Sequence, residues 1–306
     1  MITNQLALIR REVWENRSIY VVPVLVALIM ALVTIAGLVT ASSFDNEVRM
    51  AILGASNIVG DVERQAAMTL LFAGASPVFL LALAILTVFY SLDSLYAERK
   101  DKSILFWRSL PITDAETVIS KLLTATALLP LLTIAAIVVT HVIILIALSI
   151  WIVVKGGSAG HLVWGSVAFI DNWFAATIVT FASALWMSPF IGWFLFVSAW
   201  TKRSPLLMAF LPLILIPLIE AIIFRSAVFA EAVFGRGGVM PLFRGGMDMD
   251  DFFDEERMQV NEEVISLLAH LDIAQFLASP SLWAGIIVCG LFTTAAIYVR
   301  RYRDES

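Results

Sequence analysis

The chain has 306 residues, of which 60% are hydrophobic and 15% are charged, and its mean hydropathy is +0.91. Soluble globular domains are about 45–50% apolar and about 25% charged, so this composition excludes an ordinary soluble protein and indicates a membrane protein. A single cysteine, Cys289, excludes an intramolecular disulfide framework. The net charge of −5, without a basic patch, argues against a nucleic-acid partner.

Six continuous apolar runs are long enough to cross a bilayer as helices. Spanning about 30 Å of hydrocarbon takes about 20 apolar residues in a helix. A transmembrane β-barrel is disfavoured because the runs do not alternate between polar and apolar residues. The sequence therefore predicts an all-α polytopic fold in one transmembrane domain, residues 1–306, with spans at 19–39, 66–90, 126–151, 174–200, 206–223 and 282–299.

The basic residues are divided unevenly between the two sides of the membrane. Of the 20 lysines and arginines, 13 lie on the side that holds the N-terminus. The other 7 lie on the opposite side, mostly in longer, acid-rich segments. Because short cytoplasmic loops carry an excess of lysine and arginine, this pattern predicts a multi-pass protein with both termini in the cytoplasm.

Residues 1–17 form a short amphipathic segment before the first span. Leu6, Leu8, Ile9 and Trp14 are interleaved with charged residues at helical spacing. This pattern predicts a helix that lies in the inner membrane interface, in contact with lipid. The alternative is a cytosolic extension of the first span.

The cytoplasmic segment 91–123 combines charges, exposed apolar residues and a helix start. The charges at 98–102 place it in water, and an apolar-aromatic group at 104–107 follows. Pro111 ends any helix, whereas Thr113 and Glu116 match a capping box. We therefore expect a new helix to begin there and to continue into the third span. The aromatic group either packs against the bundle or docks a partner.

Residues 224–280, on the outer side, are too many for a simple connector. An apolar stretch is followed by a Gly-rich and acidic stretch at 235–256, and then by apolar residues at helical spacing up to 276. Irregular backbone at membrane depth must be buried in protein or line a wet cavity. The pattern predicts two re-entrant outer helices joined by an exposed loop.

Motifs for catalysis or metal binding have little support. Residues 156–160 match G-x-S-x-G, but they lie in a short outer loop without the strand and helix that a nucleophile elbow needs. The acidic run at 248–256 lacks the glycine and glutamate of an EF-hand, so a solvated loop is favoured over adventitious cation binding. The histidines form no H-E-x-x-H, and no Walker A sequence occurs. We expect this chain to bind no metal or cofactor and to hydrolyse no nucleotide itself.

Glu220 is the one acidic residue well inside a predicted span. Carboxylates within membranes are costly and mark functional sites by default. Glu220 lies about 21 Å from the inner edge of its span, in the outer third. It is therefore a candidate for the substrate path, with capping of a re-entrant helix or contact with water as alternatives.

One local motif resembles a known family. Glu98-Arg99 is followed by Ser103-Ile104-Leu105 and then by Ser109-Leu110-Pro111-Ile112. This run is similar to the E-R…[ST]-[IL]-L…S-L-P-[IV] coupling segment that follows the second span in the membrane subunits of ABC-2 type transporters. The layout of six spans, interfacial helix and re-entrant outer helices resembles the same family over the whole chain.

The resemblance implies a permease subunit in the bacterial cytoplasmic (inner) membrane. It implies a second permease copy or paralogue and two cytosolic ABC ATPase subunits, which would bind ATP and Mg²⁺. The family moves hydrophobic or amphipathic cargo such as lipids, peptides and drugs, mostly outward. Phe106 and Trp107 would anchor the ATPase, with Glu98, Arg99 and Arg108 at the rim. The full set of implied coupling residues is Glu98, Arg99, Ser103, Ile104, Leu105, Phe106, Trp107, Arg108, Leu110 and Pro111.

Two other classes of function remain as alternatives. A secondary transporter would show inverted repeats and ion-binding helices near the midplane, and Glu220 is its one candidate residue. A membrane scaffold or intramembrane enzyme is the other alternative, and an enzyme would need paired catalytic residues inside the spans.

Overall fold

The structure is a computed structural model that describes residues 2–57, 60–104, 111–166, 168–237, 240–243 and 266–302. Within these ranges the chain is helical apart from turns, loops and an isolated antiparallel bridge between Phe243 and Leu271. The predicted all-α fold is thus confirmed for the described part of the chain. The helices follow one another as α1 (Ile2–Glu15), α2 (Ser18–Ala41), α3 (Asp45–Asn57), α4 (Asp61–Lys100), α5 (Asp114–Val154), α6 (Ala159–Leu162), α7 (Phe169–Trp186), α8 (Ser188–Trp200), α9 (Pro205–Phe224), α10 (Val228–Phe234), α11 (Ile273–Ala278) and α12 (Pro280–Tyr302).

Six helices in the described ranges are long and apolar enough to cross a membrane. They are α2, α4, α5, α7, α9 and α12, and each overlaps a different predicted span. Two of them are much longer than the apolar runs that predicted them. Helix α4 continues to Lys100, and α5 begins at Asp114, so polar turns extend both helices at the same end of the bundle.

The fourth predicted span is divided into two helices. Helix α7 ends at Trp186 and α8 begins at Ser188, with Met187 between them. Pro189 explains the break, because its ring has no N–H to donate and clashes with a preceding helical turn. The prediction of one continuous helix over 174–200 is therefore corrected to α7 followed by α8.

Two wider π-helical turns interrupt the long helices. One covers Thr124–Leu128 in α5 and directly precedes Leu129 and Pro130. The other covers Glu220–Phe224 at the end of α9, shortly after Pro217. Such turns are frequent at functional sites, and they bend the helix in which they lie.

The bundle has two distinct ends. We call the end where α1, the start of α5 and the end of α12 meet the base, and the opposite end the crown. Near the base, Ile19, Leu95, Val118 and Leu195 belong to one buried apolar cluster. A second cluster around Phe72 and Leu145 lies toward the crown, where the short helix α3 packs through Ile52. Helix α3 has no counterpart among the elements predicted from sequence.

Helices α8 and α12 approach each other closely. A Cβ atom placed on Gly192 would lie 2.9 Å from both the Cα and the carbonyl oxygen of Cys289, so only glycine fits this contact. Small residues allow such backbone contact between membrane helices.

Helix α9 is the least covered of the membrane-length helices. Only 6% of the residues in its most apolar stretch of 18 are buried inside the chain, whereas 33% are buried in the corresponding stretch of α5. Its exposed side chains include Leu207, Ile214 and Ile222. A helix that is apolar on all sides and so little covered by its own chain is suited to contact with lipid or another chain.

Candidate functional site: a buried ion-pair network at the base

Four helices bring charged side chains together at the base. Helix α1 supplies Arg11 and Glu12, and α4 supplies Tyr90 and Glu98. Helix α5 supplies Asp114 and Lys121, and α12 supplies Arg300. We call this set of residues the base network: Arg11, Glu12, Tyr90, Glu98, Asp114, Lys121 and Arg300.

Glu98 is the centre of the base network. Its Oε1 lies 2.7 Å from an Arg11 guanidinium nitrogen and 3.0 Å from Lys121 Nζ. Its Oε2 accepts a hydrogen bond of 2.6 Å from Arg300. Arg300 also donates through Nε to Asp114 Oδ1 at 2.9 Å. One carboxylate therefore joins three helices other than its own.

Glu12 is the second buried carboxylate of the base network. Lys121 Nζ lies 2.8 Å from its Oε1, and the Tyr90 hydroxyl donates to its Oε2 at 2.8 Å. Asn16 donates to the same Oε2 at 3.3 Å. Glu12 thus fixes α1 against α4 and α5.

Most of the base network is buried, with Arg11 and Asp114 partly exposed, and its charges are balanced. Glu12 and Lys121 are each 1% exposed, and Glu98 and Arg300 are each 5% exposed. Three carboxylates face three cations, so no charge of the network lacks a counter-ion. Buried charges survive only when they are paired and hydrogen-bonded in this way.

The pKa of Arg11 depends on its burial and on the neighbouring carboxylates. Burial is the largest influence and acts to lower its pKa. The hydrogen bond to Glu15 and the charges of Glu98, Glu15 and Glu12 outweigh burial, so the pKa of Arg11 is raised above its ordinary value. The arginine therefore remains charged.

The carboxylates of this region are close enough together to suggest a cation site. Oxygens of Glu12, Glu15 and Glu98 lie within 4.8 Å of one another. However, Lys121 and Arg11 already bond these oxygens. The protein's own cations therefore take the place that a metal ion would occupy.

The structure changes the interpretation of several predicted coupling residues. Glu98 was expected to lie in water, as a polar contact at the rim of an ATPase interface. It instead lies in the interior of the base, where it forms ion pairs with three cations. Ile104 was expected in an exposed apolar group, yet it is only 2% exposed. Arg99 donates to the carbonyl oxygens of Ser198 and Thr201 at the end of α8.

Other predicted coupling residues lie at or beyond the edge of what is described. The Ser103 hydroxyl donates to the carbonyl oxygen of Glu98 at 3.3 Å, and Pro111 is exposed. The remaining predictions, at Leu105, Phe106, Trp107, Arg108 and Leu110, fall outside the described residues. The acidic run at 248–256 also falls outside them.

The predicted capping box is confirmed. Thr113 Oγ1 accepts a hydrogen bond from the Glu116 amide, and the Glu116 side chain accepts one from the Thr113 amide at 2.9 Å. Helix α5 begins at Asp114 and continues into the third span, as expected. This start places Asp114 opposite Arg300.

Glu220 caps a helix. Its carboxylate accepts hydrogen bonds from the Ser226 hydroxyl at 2.8 Å, from the Phe229 amide at 2.9 Å and from the Ala230 amide at 3.3 Å. These amides belong to the first turn of α10, where backbone N–H groups lack helical partners. The contacts favour the capping alternative for Glu220.

The outer segment 224–280 contains two short helices, α10 and α11, in its described parts. The continuous helix expected up to 276 is interrupted, because Leu271 is extended and pairs with Phe243. Asp272 then caps α11 by accepting from the Gln275 amide at 2.8 Å. Leu242 and Phe276 are buried here with Trp186.

Sequence reasoning missed a contact between Arg236 and Trp186. Arg236 Nη1 donates to the Trp186 carbonyl at 2.7 Å, and Trp186 Nε1 donates back to the Arg236 carbonyl at 3.0 Å. The guanidinium carbon lies 4.7 Å from the centre of the Trp186 ring. The basic residue and aromatic ring are 50 positions apart, and no local pattern links them.

The G-x-S-x-G residues 156–160, which were expected to form a loop, form a turn that leads into the first residues of α6. Ser158 is the N-cap of α6, and its hydroxyl accepts from the backbone amide of His161. The His161 ring lies 3.4 Å from Arg64. The histidine ring is thus paired with an arginine and is not placed as a base for the serine.

Comparison with protein-family models, with curated proteins and with solved structures gives no significant match.

Proposed function

We propose that this chain is the permease subunit of an ATP-driven exporter of the ABC-2 type. It works with a second copy or a paralogue, is driven by two cytosolic ATPase subunits, and moves a hydrophobic or amphipathic substrate outward. Its place is the bacterial cytoplasmic membrane, with the base and both termini in the cytoplasm. The uneven distribution of basic residues supports this orientation.

The main support for this proposal is the position of the base network on both sides of the segment 105–110. The segment 105–110, which holds the proposed ATPase anchors, connects the end of α4 to the start of α5. Glu98 lies shortly before this segment and Asp114 shortly after it, and Arg300 bonds both of them. A force applied to the segment therefore acts on the end of α4 and on the start of α5, which Arg300 links to each other.

The chemistry of the base network suits transmission of motion. Interactions between charges in a dry interior are strong and depend on geometry, so the linked helix ends resist separate displacement. Movement of α4 and α5 would carry α1 and α12 with it, through Glu12 and Arg300. In this proposal ATPase closure moves the base as one body and alters the packing of the spans.

A secondary transporter is the second candidate, and His141 is the observation that favours it. The side chain lies in α5, is 1% exposed and stacks on Phe72 with ring centres 4.3 Å apart. Neither of its ring nitrogens has a hydrogen-bond partner among the described residues. A buried ionisable group within a span is a feature of proton-linked transport.

The test is co-purification with an ATPase that carries Walker motifs and is encoded by a neighbouring gene. Phe106→Ala and Trp107→Ala should each remove about 2 kcal/mol of docking energy, because buried aromatic anchors dominate such interfaces. The matched control is Trp14→Ala, another aromatic at the base, whose side chain is 70% exposed. It should leave co-purification unchanged.

The outcomes separate the candidates. Loss of the ATPase in the double variant and retention in the control support the exporter. Unchanged co-purification in the double variant contradicts the coupling assignment. Transport that depends on a proton gradient and His141, without any ATPase, supports the secondary transporter instead.

A further inference from the structure

Arg236 lies against the outer end of the membrane-length helix α12, where it donates to the Ser281 carbonyl. A Cβ atom placed on Gly285 would lie 2.6 Å from an Arg236 guanidinium nitrogen, so the guanidinium sits directly against α12 at this glycine. Gly285 precedes Arg300 of the base network by 15 residues, or about 22 Å of helix. Gly285 is three residues inside the predicted span 282–299, so we place the Arg236 guanidinium within about one helical turn of the outer membrane surface.

The Arg236 guanidinium has no counter-ion among the described residues. Its partners are the carbonyl oxygens of Trp186 and Ser281 and the face of the Trp186 ring. These are dipoles and a quadrupole, and none carries a full negative charge. The base network differs in this respect, since each of its cations faces a carboxylate.

Two hydrogen bonds hold the Arg236 guanidinium in place, and its other N–H donors remain available. Guanidinium groups carry five N–H donors, and two carbonyls take one each, which leaves three without a partner among the described residues. Arg236 is half-buried, so these donors are not sealed by the protein. A planar donor group fixed in this manner fits the oxygens of a phosphate or carboxylate, which it can bind with two parallel hydrogen bonds.

We propose that Arg236 is the recognition site for the anionic head group of an amphiphile, so that the exporter's substrates are phosphate- or carboxylate-bearing lipids or lipid-like molecules. The inference rests on the proposed export function for its physiological meaning. The position of Arg236 near the outer end of α12 favours an amphiphile over a free anion, because the acyl chain of an amphiphile remains in the hydrocarbon while its head group reaches the arginine.

The test is equilibrium binding to the purified full-length chain in phosphatidylcholine nanodiscs, without an ATPase. The probes are dodecyl phosphate, dodecyltrimethylammonium and inorganic phosphate. We expect dodecyl phosphate to bind at least tenfold more tightly than the cationic probe, and inorganic phosphate to compete only weakly. Arg236→Gln should remove this preference. Arg225→Gln, which removes an exposed charge from the same outer segment, should retain it.

Two further variants distinguish a loss of binding from a loss of folding. Gly285→Ala keeps the arginine but pushes its guanidinium aside, so it should weaken dodecyl phosphate binding several-fold. Arg236→Lys keeps the charge but loses the planar donor pair, so it should bind with intermediate affinity. If either Gly285→Ala or a folded Arg236→Gln binds dodecyl phosphate as tightly as the unaltered chain, the proposal is overturned. Equal competition by inorganic phosphate overturns the amphiphile class.

This binding test is independent of the exporter assignment. Loss of ATPase docking in the Phe106 and Trp107 variants would leave dodecyl phosphate binding unchanged. Conversely, intact ATPase docking with no preference for an anionic amphiphile would contradict only the role of Arg236.

Discussion

Glu98 and Arg300 lie 202 residues apart in the chain and form an ion pair of 2.6 Å in the interior of the base. The pair joins the end of α4 to the end of α12. Because Lys121 and Arg11 share the same carboxylate, the pair also includes α5 and α1. A single side chain thus determines how four helix ends are placed relative to the segment that is expected to meet an ATPase.

Glu98→Gln should destabilise the protein strongly. The substitution leaves Lys121, Arg300 and the partly exposed Arg11 short of one negative charge. Breaking a buried ion pair from one side costs about 3–5 kcal/mol. The measurement is the free energy of unfolding of the purified chain in detergent.

The control for this substitution is Glu15→Gln. Glu15 bonds the same Arg11, but its side chain is 41% exposed. Exposed pairs are worth about 0–1 kcal/mol, so this variant should unfold almost like the unaltered chain. Equal losses of unfolding free energy in the two variants would show that the buried ion pairs of Glu98 do not stabilise the protein more than the exposed pair of Glu15 does.

The membrane-length helices and the start of α5 could be predicted from sequence because both depend on local patterns. About 20 apolar residues suffice to identify a span, and a capping box is complete within four residues. The ends of α4 and α5 were harder to place, because helices that continue beyond the apolar run have no hydrophobic boundary.

The interior placement of Glu98 could not be predicted in the same way. A glutamate followed by Arg99 and Lys100 has the local pattern of a solvated charge run. The cations that bury it come from elsewhere, since Arg11 is 87 residues away and Arg300 is 202 residues away. Arg236 illustrates the same difficulty, because its position follows from contacts with Trp186 and Gly285.

Gly192→Ala should destabilise the contact between α8 and α12. The new Cβ would meet backbone atoms of Cys289 at 2.9 Å, and backbone cannot rotate away as a flexible side chain can. Overpacking of this kind costs about 1–3 kcal/mol. The matched control is Gly290→Ala on α12, whose Cβ would meet nothing within 4 Å. Thermal unfolding should separate the two variants, and a Gly192→Ala protein as stable as the control would refute the close approach.

Topology can be tested with single cysteines. Asp250→Cys should react with a membrane-impermeant maleimide in intact cells, whereas Asp101→Cys should react only after the membrane is opened. The native Cys289 is only 6% exposed, so its background labelling should be low. The reverse pattern would place the base outside the cell and would rule out contact between this chain and a cytosolic ATPase.

Glu220 separates a structural role from a transport role. The carboxylate accepts hydrogen bonds from the Phe229 and Ala230 amides, and these bonds need an acceptor oxygen rather than a charge. Glu220→Gln keeps one such oxygen and should leave the first turn of α10 protected from hydrogen exchange. Glu220→Leu removes the acceptor, so the amides of Phe229 and Ala230 should exchange faster, and transport should fall with the loss of order at α10. If transport instead fails in both variants while exchange at α10 stays slow in Glu220→Gln, the charge itself is required, and Glu220 belongs to the substrate path rather than to the cap.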